Sequence, residues 1–452
     1  MRSAHRLPSR LPLVLASVVA LTACVRQGDP GGVAGKHPDV DGEAVLATVA
    51  ELASPAYAGR AAGSEGGAAA REWLSGRLAL AGLDVRQMPF PERVARNVAE
   101  ARLELDGLPG GTRVFAWRED YREVVRGGFD GGEARGTLVA WEDLAGAAPP
   151  AGCVLLLPGT AYRPDGMGAY ADAGVAGVLV ELPAGTVEVR PLWPGHPGGT
   201  LVEVRRDLVV LALSSPAYAE LLGLARAGGG TAPIVDMASP VRFQDVSCVN
   251  LIAEWNGDGG DFEPRFAFMA HYDHVGTDQD GSFFPGALDN ASGAALVLEL
   301  ARAFAADGRK ADVAFILTDG EEVGLSGAAH IAMAPPFPLY DLTVVNLDMI
   351  GTSGGTPVSV YSNGDRPGLA LADELVAVLE AAGLEAVSEY PVPNVDHAPL
   401  VGRGAIAATI CEYDTAAYHT KRDAPSGLSA AELDAVGDAL YAFALGKLAG
   451  GG

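Results

Sequence analysis

The sequence is short of cysteine and of positive charge, and it has no apolar run long enough to cross a membrane. Its four cysteines in 452 residues are too few for a disulfide framework. With Cys24 set aside, an odd number remains, and Cys153, Cys248 and Cys411 each lie in apolar stretches where a free thiol behaves as a small hydrophobe. Lys and Arg total 32 against 57 Asp and Glu, a formal net charge of −25. Binding phosphate needs clustered basic side chains, so nucleic acid and anionic membrane surfaces are excluded as partners of the folded body. Fixed-period repeats and long low-complexity tracts are also absent. What is present is an ordinary globular balance, 49% hydrophobic and 20% charged, in a chain long enough for two domains.

The N-terminus has the order of a targeting segment. Arg2, His5, Arg6 and Arg10 precede an apolar run over 11–20, which falls short of the roughly 20 residues a spanning helix needs but suits a signal peptide. The run ends in Leu21, Thr22, Ala23 and Cys24, which resembles the bacterial lipobox. Residues 1–24 are therefore expected to be a lipoprotein signal peptide, and 25–40 a Gly- and Pro-containing linker. The protein would be exported to the bacterial cell envelope, with lipidated Cys24 as its membrane contact.

Beyond the linker the texture changes twice. Over 41–107, helical patterns carrying Val45, Leu46, Val49 and Leu52, then Trp73, Leu74 and Leu78, lead into a strand-like LDVRQM. Over 108–245 there are short apolar runs (TLVAW, CVLLLPG, AGVLVEL, LVVLAL) cut by Gly and Pro, which predict a β-rich insertion. Over 246–452 strands and helices alternate again, ending in a helix with a Ser429–Glu432 capping box. The fold class expected is α/β, a mixed central sheet sandwiched by helices and split by the inserted domain. The strand–helix–strand order around Cys153 to Leu182 resembles a protease-associated (PA) domain.

Candidate chemistry gathers at strand ends. The apolar RFAFMA runs into His271 and Asp273, ADVAFILT into Asp319, Glu321 and Glu322, and LTVVNLDM carries Asp348 within an apolar stretch. AIAATICEY precedes Tyr418, His419 and Asp423, and Asp289 lies on the loop entering the helix that begins near Gly293. In open α/β sheets the carboxyl ends of strands are where ligands bind. Each signal alone has a plainer reading as a solvated turn or a surface pair. Four strand ends that each offer carboxylate or imidazole are harder to explain that way, because a buried carboxylate needs a compensating cation. Oxygen and imidazole donors without cysteine suit catalytic zinc, and the excess of carboxylates points to two ions. His274 reads as the nearest competitor to His271. His330 reads as a surface residue, and none of His274, His330 and His397 is assigned a ligand role.

Taken in order, HYDH, PGALDNASG, EEVGL, NLDMIG and YHTKRD resemble the di-zinc peptidase family that includes aminopeptidase Y, bacterial leucyl aminopeptidase and glutamate carboxypeptidase. AGRAAGSEGG and VDHAPL are similar to family segments as well. The resemblance implies that Asp289 bridges two Zn2+ ions. His271 and Asp348 would complete one site, Glu322 and His419 the other. Glu321 would be the general base, Asp273 the partner that orients His271, and Tyr418 a donor to the developing oxyanion. A cis peptide between Asp289 and Asn290 is implied too. The chain departs from the family at GLSGAAH and at Val395, which bears on substrate contacts. The function implied is a zinc exopeptidase, an aminopeptidase removing N-terminal residues from peptides through a water bridging two zinc ions. Alternatives on the same fold are a glutaminyl cyclase-like acyltransferase and an inactive binding or receptor module.

Overall fold

The computed structural model describes residues 40–124, 130–163, 166–182, 208–227, 232–256, 261–308, 312–389, 394–414 and 416–449. The signal peptide and Cys24 lie outside this set. No described helix is long and apolar enough to cross a membrane.

The chain opens with α1 (Gly42–Leu52) and α2 (Glu65–Leu80). Asp41 caps α1 by accepting from the Glu43 and Ala44 amides, and Ser64 caps α2 by accepting from Gly67. Strand β1 (Asp84–Asn97) then carries the chain out of this layer. A second sheet follows, built from β2 (Arg102–Asp106), β3 (Arg113–Val114), β4 (Tyr121–Glu123), β5 (Gly132–Ala140) and β6 (Val154–Leu157). After α3 (Met167–Asp172) it continues through β7 (Gly177–Glu181), β8 (Val209–Leu213), α4 (Ser215–Arg226) and β9 (Ile234–Ser239). Its order is β3-β2-β9-β5-β6-β7-β8-β4, with a parallel centre from β5 to β8. Every residue of β6 and of β8 is buried, as expected of parallel strands covered on both faces.

The chain returns along β10 (Val241–Asn256), which pairs with β1 from Asp84↔Glu254 to Asn97↔Val241. The sequence-based boundaries of 108 and 245 therefore differ from the sheet assignments. Arg102–Asp106 lies in the second sheet, and the start of β10 already belongs to the first. Alternating patterns such as RLELD do not reveal which sheet a strand will join.

The remaining elements are β11 (Phe266–His271), α5 (Gly293–Asp307), β12 (Asp312–Thr318), α6 (Ser326–Met333) and β13 (Thr343–Asp348). Next come β14 (Val358–Tyr361), α7 (Arg366–Ala381), β15 (Ala386–Glu389), α8 (Ala398–Val401), β16 (Ile406–Cys411) and α9 (Ala430–Ala449). They complete a mixed eight-stranded sheet in the order β1-β10-β12-β11-β13-β16-β14-β15. Its centre is parallel, β12-β11-β13-β16. Period-two alternation along β11 divides the core. Phe266, Phe268 and Ala270 pack with Phe304 of α5 and Phe315, while Ala267 and Met269 face Ile331 of α6 and Leu342. Cys153, Cys248 and Cys411 are buried free thiols. His330, expected at the surface, is instead half-buried with its ring stacked 5.0 Å from that of Phe90. The α6 face that presents it is covered by β1.

One buried side chain ties the first layer to the loop that follows β11. Arg60 is fully buried, and burial lowers its pKa to about 10 against the opposing pull of Asp423, Asp289, Asp273 and Glu322. Its guanidinium donates to four backbone carbonyls: Tyr272 at 2.9 Å, Leu52 at 2.7 Å, Pro285 at 2.8 Å and Gly286 at 2.7 Å. Both ends of the loop 272–286 thus close on one planar fork, a geometry that lysine cannot reproduce. Arg60→Ala should destabilise the metal-free protein by about 3 kcal/mol or more, because it strands buried carbonyls. Arg60→Lys should restore only part of this, and urea unfolding monitored by circular dichroism measures both.

Candidate metal centre

Because β11, β12, β13 and β16 are parallel, their carboxyl ends open on one edge, and each delivers polar residues there. His271 ends β11, Asp348 ends β13, Glu321 and Glu322 follow β12, and His419 follows β16. Asp289 comes from the turn ahead of α5, where the Asp289–Asn290 peptide is cis.

The chain bends after Tyr272, so His271 and Asp273 meet rather than diverge. His271 Nδ1 is 3.2 Å from the Asp273 carbonyl and 3.5 Å from its Oδ1. The Asp273 carboxylate also accepts from the Glu321 and Glu322 amides at 3.1 and 3.3 Å. Asp273 therefore lies against the imidazole of His271, and its carboxylate fixes the turn that carries two glutamates.

Asp289 lies between two groups of donors. Its Oδ1 is 3.5 Å from His271 Nε2, which is 3.4 Å from Asp348 Oδ1. Its Oδ2 is 3.1 Å from His419 Nε2, which is 2.9 Å from Glu322 Oε2. His271, Asp289 and Asp348 form one set of potential ligands, and His274, Asp289, Glu322 and His419 the other. His274 thus does not compete with His271. It stands in the opposite group, with Nδ1 2.9 Å from Glu322 Oε1. It leaves the strand three residues after His271, where strand alternation no longer says which way a side chain points.

Three further residues hold this arrangement; Asp423 stands among the sequence candidates without an assigned role, and the side chains of Asn290 and Ser292 have none, because all three act on backbone atoms. Asp423 accepts from the Leu288 and Asp289 amides at 2.7 and 3.0 Å. Asn290 donates to the Leu347 carbonyl at 2.8 Å and accepts from the Met349 amide at 3.2 Å, fixing Asp289 relative to Asp348. Ser292 Oγ accepts from Ile350 at 2.9 Å. Helix α5 also starts against β13, where a Cβ on Gly293 would lie 2.4 Å from the Leu347 carbonyl. His397 lies apart from the donors, its Nδ1 2.6 Å from Thr409 Oγ1 and its Nε2 3.0 Å from Asn363.

The electrostatics call for cations. Burial raises Glu321 well above the ordinary carboxylate range, with His271 opposing and Glu322 adding to the shift. Burial likewise brings Asp319 and Asp396 to about 7. Burial would lower His419, but Glu322 and Asp289 outweigh it and raise its pKa to about 9. Asp289 Oδ2 and Asp348 Oδ1 are buried with imidazole nitrogens nearby, yet neither accepts a hydrogen bond in acceptable geometry. A zinc ion with donors at about 2.0–2.2 Å would satisfy each oxygen, since tetrahedral geometry then sets donors roughly 3.3–3.6 Å apart. The donor chemistry, imidazole and carboxylate without thiolate, fits the same ion.

Two cavities flank the donors. One of about 240 Å³ is lined by His271, Glu321, Met349, Tyr361, Val395 and Tyr418 among others. Tyr418 stacks on His419 with ring centroids 3.8 Å apart. The other cavity, about 560 Å³, borders His274 and Glu322 and extends to Arg96 and Asp278. From the second-sheet part of the chain, Arg118 reaches Asp278 at 2.6 Å, so that part grips the loop 272–286 directly.

In metal-free protein the raised pKa of His419 has a defined sign. A histidine more basic in the fold than its ordinary 6.5 contributes stability that is full below that pH and is lost as pH rises through about 9. Chelator-treated protein should therefore lose thermal stability between about pH 6.5 and 9, and zinc should abolish the slope by replacing the protons. Melting curves of metal-free and zinc-loaded samples across that range test it, and parallel curves would contradict it.

The model of peptidase family M28 matches residues 250–444. A probable zinc metalloprotease of Pyricularia oryzae is 35% identical over 164 residues, 33% of this chain and 32% of that one. Aminopeptidase YwaD of Bacillus subtilis is 29% identical over 182 residues, 38% of this chain and 39% of its own. The chain thus spans about a third of the length of these curated relatives. Among solved structures, BSAP, a zinc aminopeptidase from Bacillus subtilis, superposes with a TM-score of 0.68 at 19% identity, covering 90% of this chain and 95% of its own. At that identity the likeness is one of fold, and it includes both sheets. Residues 250–444 of this chain are thus similar to peptidase family M28.

Proposed function

We propose that the protein is a zinc-dependent aminopeptidase. The observation that carries this reading is Asp289, whose two oxygens face two separate donor groups beside a carboxylate, Glu321, that belongs to neither. His271 and Asp348 would hold one ion, Glu322 and His419 the other, with Asp289 shared. When bound, two zinc ions supply acidified water and polarisation of the peptide carbonyl.

The side chains do the rest. Glu321 lines the 240 Å³ cavity, placed to accept a proton from water and pass it to the departing amine. Asp273 keeps the His271 imidazole oriented. Tyr418, fixed by stacking on His419, donates to the oxyanion that develops on the peptide carbonyl. Met349, Tyr361 and Val395 give the cavity apolar walls that suit the side chain of an N-terminal residue. The acidic character of the chain favours a free amine over a carboxylate as the recognised end.

The second sheet, with its parallel strands and its grip on the loop 272–286, supports a PA-like module inserted between β1 and β10 that borders the cleft. The N-terminal charge, apolar run and lipobox-like LTAC support export and anchoring through Cys24. Cys24→Ala should release the protein from the membrane fraction of cells, and equal fractionation of both forms would remove the anchor.

The adjacent glutamates test the catalytic reading. Glu321→Gln keeps the size of the side chain but cannot take the proton. It should retain two zinc ions per chain while kcat on an N-terminally free peptide falls by about 10⁴-fold, the upper range for general-base catalysis. Glu322→Gln should lose zinc and recover partly in excess metal. Near-normal turnover in Glu321→Gln, or zinc rescue of that variant alone, would reverse the two assignments.

A further inference from the structure

We infer that His274 is a fourth protein ligand of the ion shared by Glu322 and His419, so that the two metal sites of this chain are unequal. One would be closed by four side chains. The other, at His271, Asp289 and Asp348, would keep a position open toward the 240 Å³ cavity. The inference rests on the two-ion reading proposed above.

The geometry points to a ligand more than to a hydrogen-bond partner. His274 Nδ1 is 2.9 Å from Glu322 Oε1 and 3.7 Å from Asp289 Oδ2, so it faces two different carboxylates of the cluster. On the far side His419 Nε2 repeats the pattern, 2.9 Å from Glu322 Oε2 and 3.1 Å from Asp289 Oδ2. The two rings meet edge to face with centroids 5.7 Å apart, and the donor atoms of all four residues lie within 4.8 Å of one another. These separations bracket the roughly 3.3–3.6 Å that four donors adopt around tetrahedral zinc. An ion set between Glu322 and Asp289 would be met by the same imidazole nitrogen.

The local chain holds the ring there. The His274 amide donates to the Arg60 carbonyl at 3.1 Å, and the ring is fully buried. Opposite it, Gly286 has φ of +57°, and a Cβ there would fall 2.4 Å from His274 Cδ2. Any side chain at 286 would push the imidazole off its position. HYDH therefore serves both groups: His271 points to one, His274 to the other, and Asp273 between them holds the Glu321 and Glu322 amides.

Four-ligand zinc sites are closed and retentive, whereas three-ligand sites exchange and admit water. The chain should accordingly load its ions in order, the His274 group first. Titration of the full, metal-stripped chain with Co2+ and with Zn2+ tests this. Wild type should bind two ions with dissociation constants that differ by at least about tenfold. His274→Ala should weaken the tighter one by more than the roughly 10- to 100-fold that losing an outer partner of a ligand costs, and alter the visible spectrum of the first cobalt equivalent. His271→Ala should leave that first spectrum unchanged. His274→Gln keeps the volume against Gly286 and carries the test if the alanine variant is unstable without metal. Two ions bound alike in wild type, or His274 variants with wild-type affinity and spectrum, would overturn the inference and leave the two-ion reading intact. Fewer than two ions in wild type would overturn both.

Discussion

The constraint on which this centre depends is the burial of more carboxylates than the cationic side chains beside them can balance among the described residues. Asp273, Asp289, Glu321, Glu322 and Asp348 converge at the carboxyl ends of the parallel strands at the centre of the sheet, and Arg60, a buried guanidinium close to several of them, spends its hydrogen bonds on backbone carbonyls. Two like charges about 4 Å apart repel by about 4 kcal/mol at the effective dielectric of a protein. A chain that positions several such pairs without a cation would relax away from the arrangement. The straps at Asp273, Asn290 and Asp423 hold the donors against that tendency, and each does so through backbone amides or carbonyls. Binding of cations then turns a repulsive cluster into an attractive one, which links the stability of the centre to its occupancy.

The sequence shows the donors more readily than their supports, for a physical reason. A charged residue at the end of an apolar strand stands out because burial without a partner is costly, so His271, Glu322, Asp348 and His419 are visible as anomalies of pattern. Arg60, Asn290 and Asp423 lie in glycine-rich or polar turns where such residues are common, and their partners are main-chain atoms that no pattern announces. His274 is harder still. Its direction depends on a bend after β11 that strand alternation does not describe. The sheet as a whole was legible from the alternation of apolar runs and helices, but its division from the second sheet was displaced, because β1 and β10 run on as one long ladder past where the composition changes.

That ladder also decides how the two sheets communicate. The second sheet leaves from the end of β1 and returns at the start of β10, so its connection to the first is a paired double strand rather than two loose crossings. The Arg118–Asp278 contact adds a further tie, placed on the loop that Arg60 closes. The second sheet is thus tied both to β1 and β10 of the first sheet and to the loop bearing His274.

The order of these residues along the chain has a consequence for biosynthesis. Domains form as units while the chain emerges from its N-terminus. The strands β2 to β9 are contiguous and can close on themselves early. Helices α1 and α2, by contrast, stay without their partners α5 and α9, and Arg60 without the carbonyls of Tyr272, Pro285 and Gly286, until long after they are made. His419 follows every other donor in the chain, so the group of His274, Asp289, Glu322 and His419 is completed after that of His271, Asp289 and Asp348.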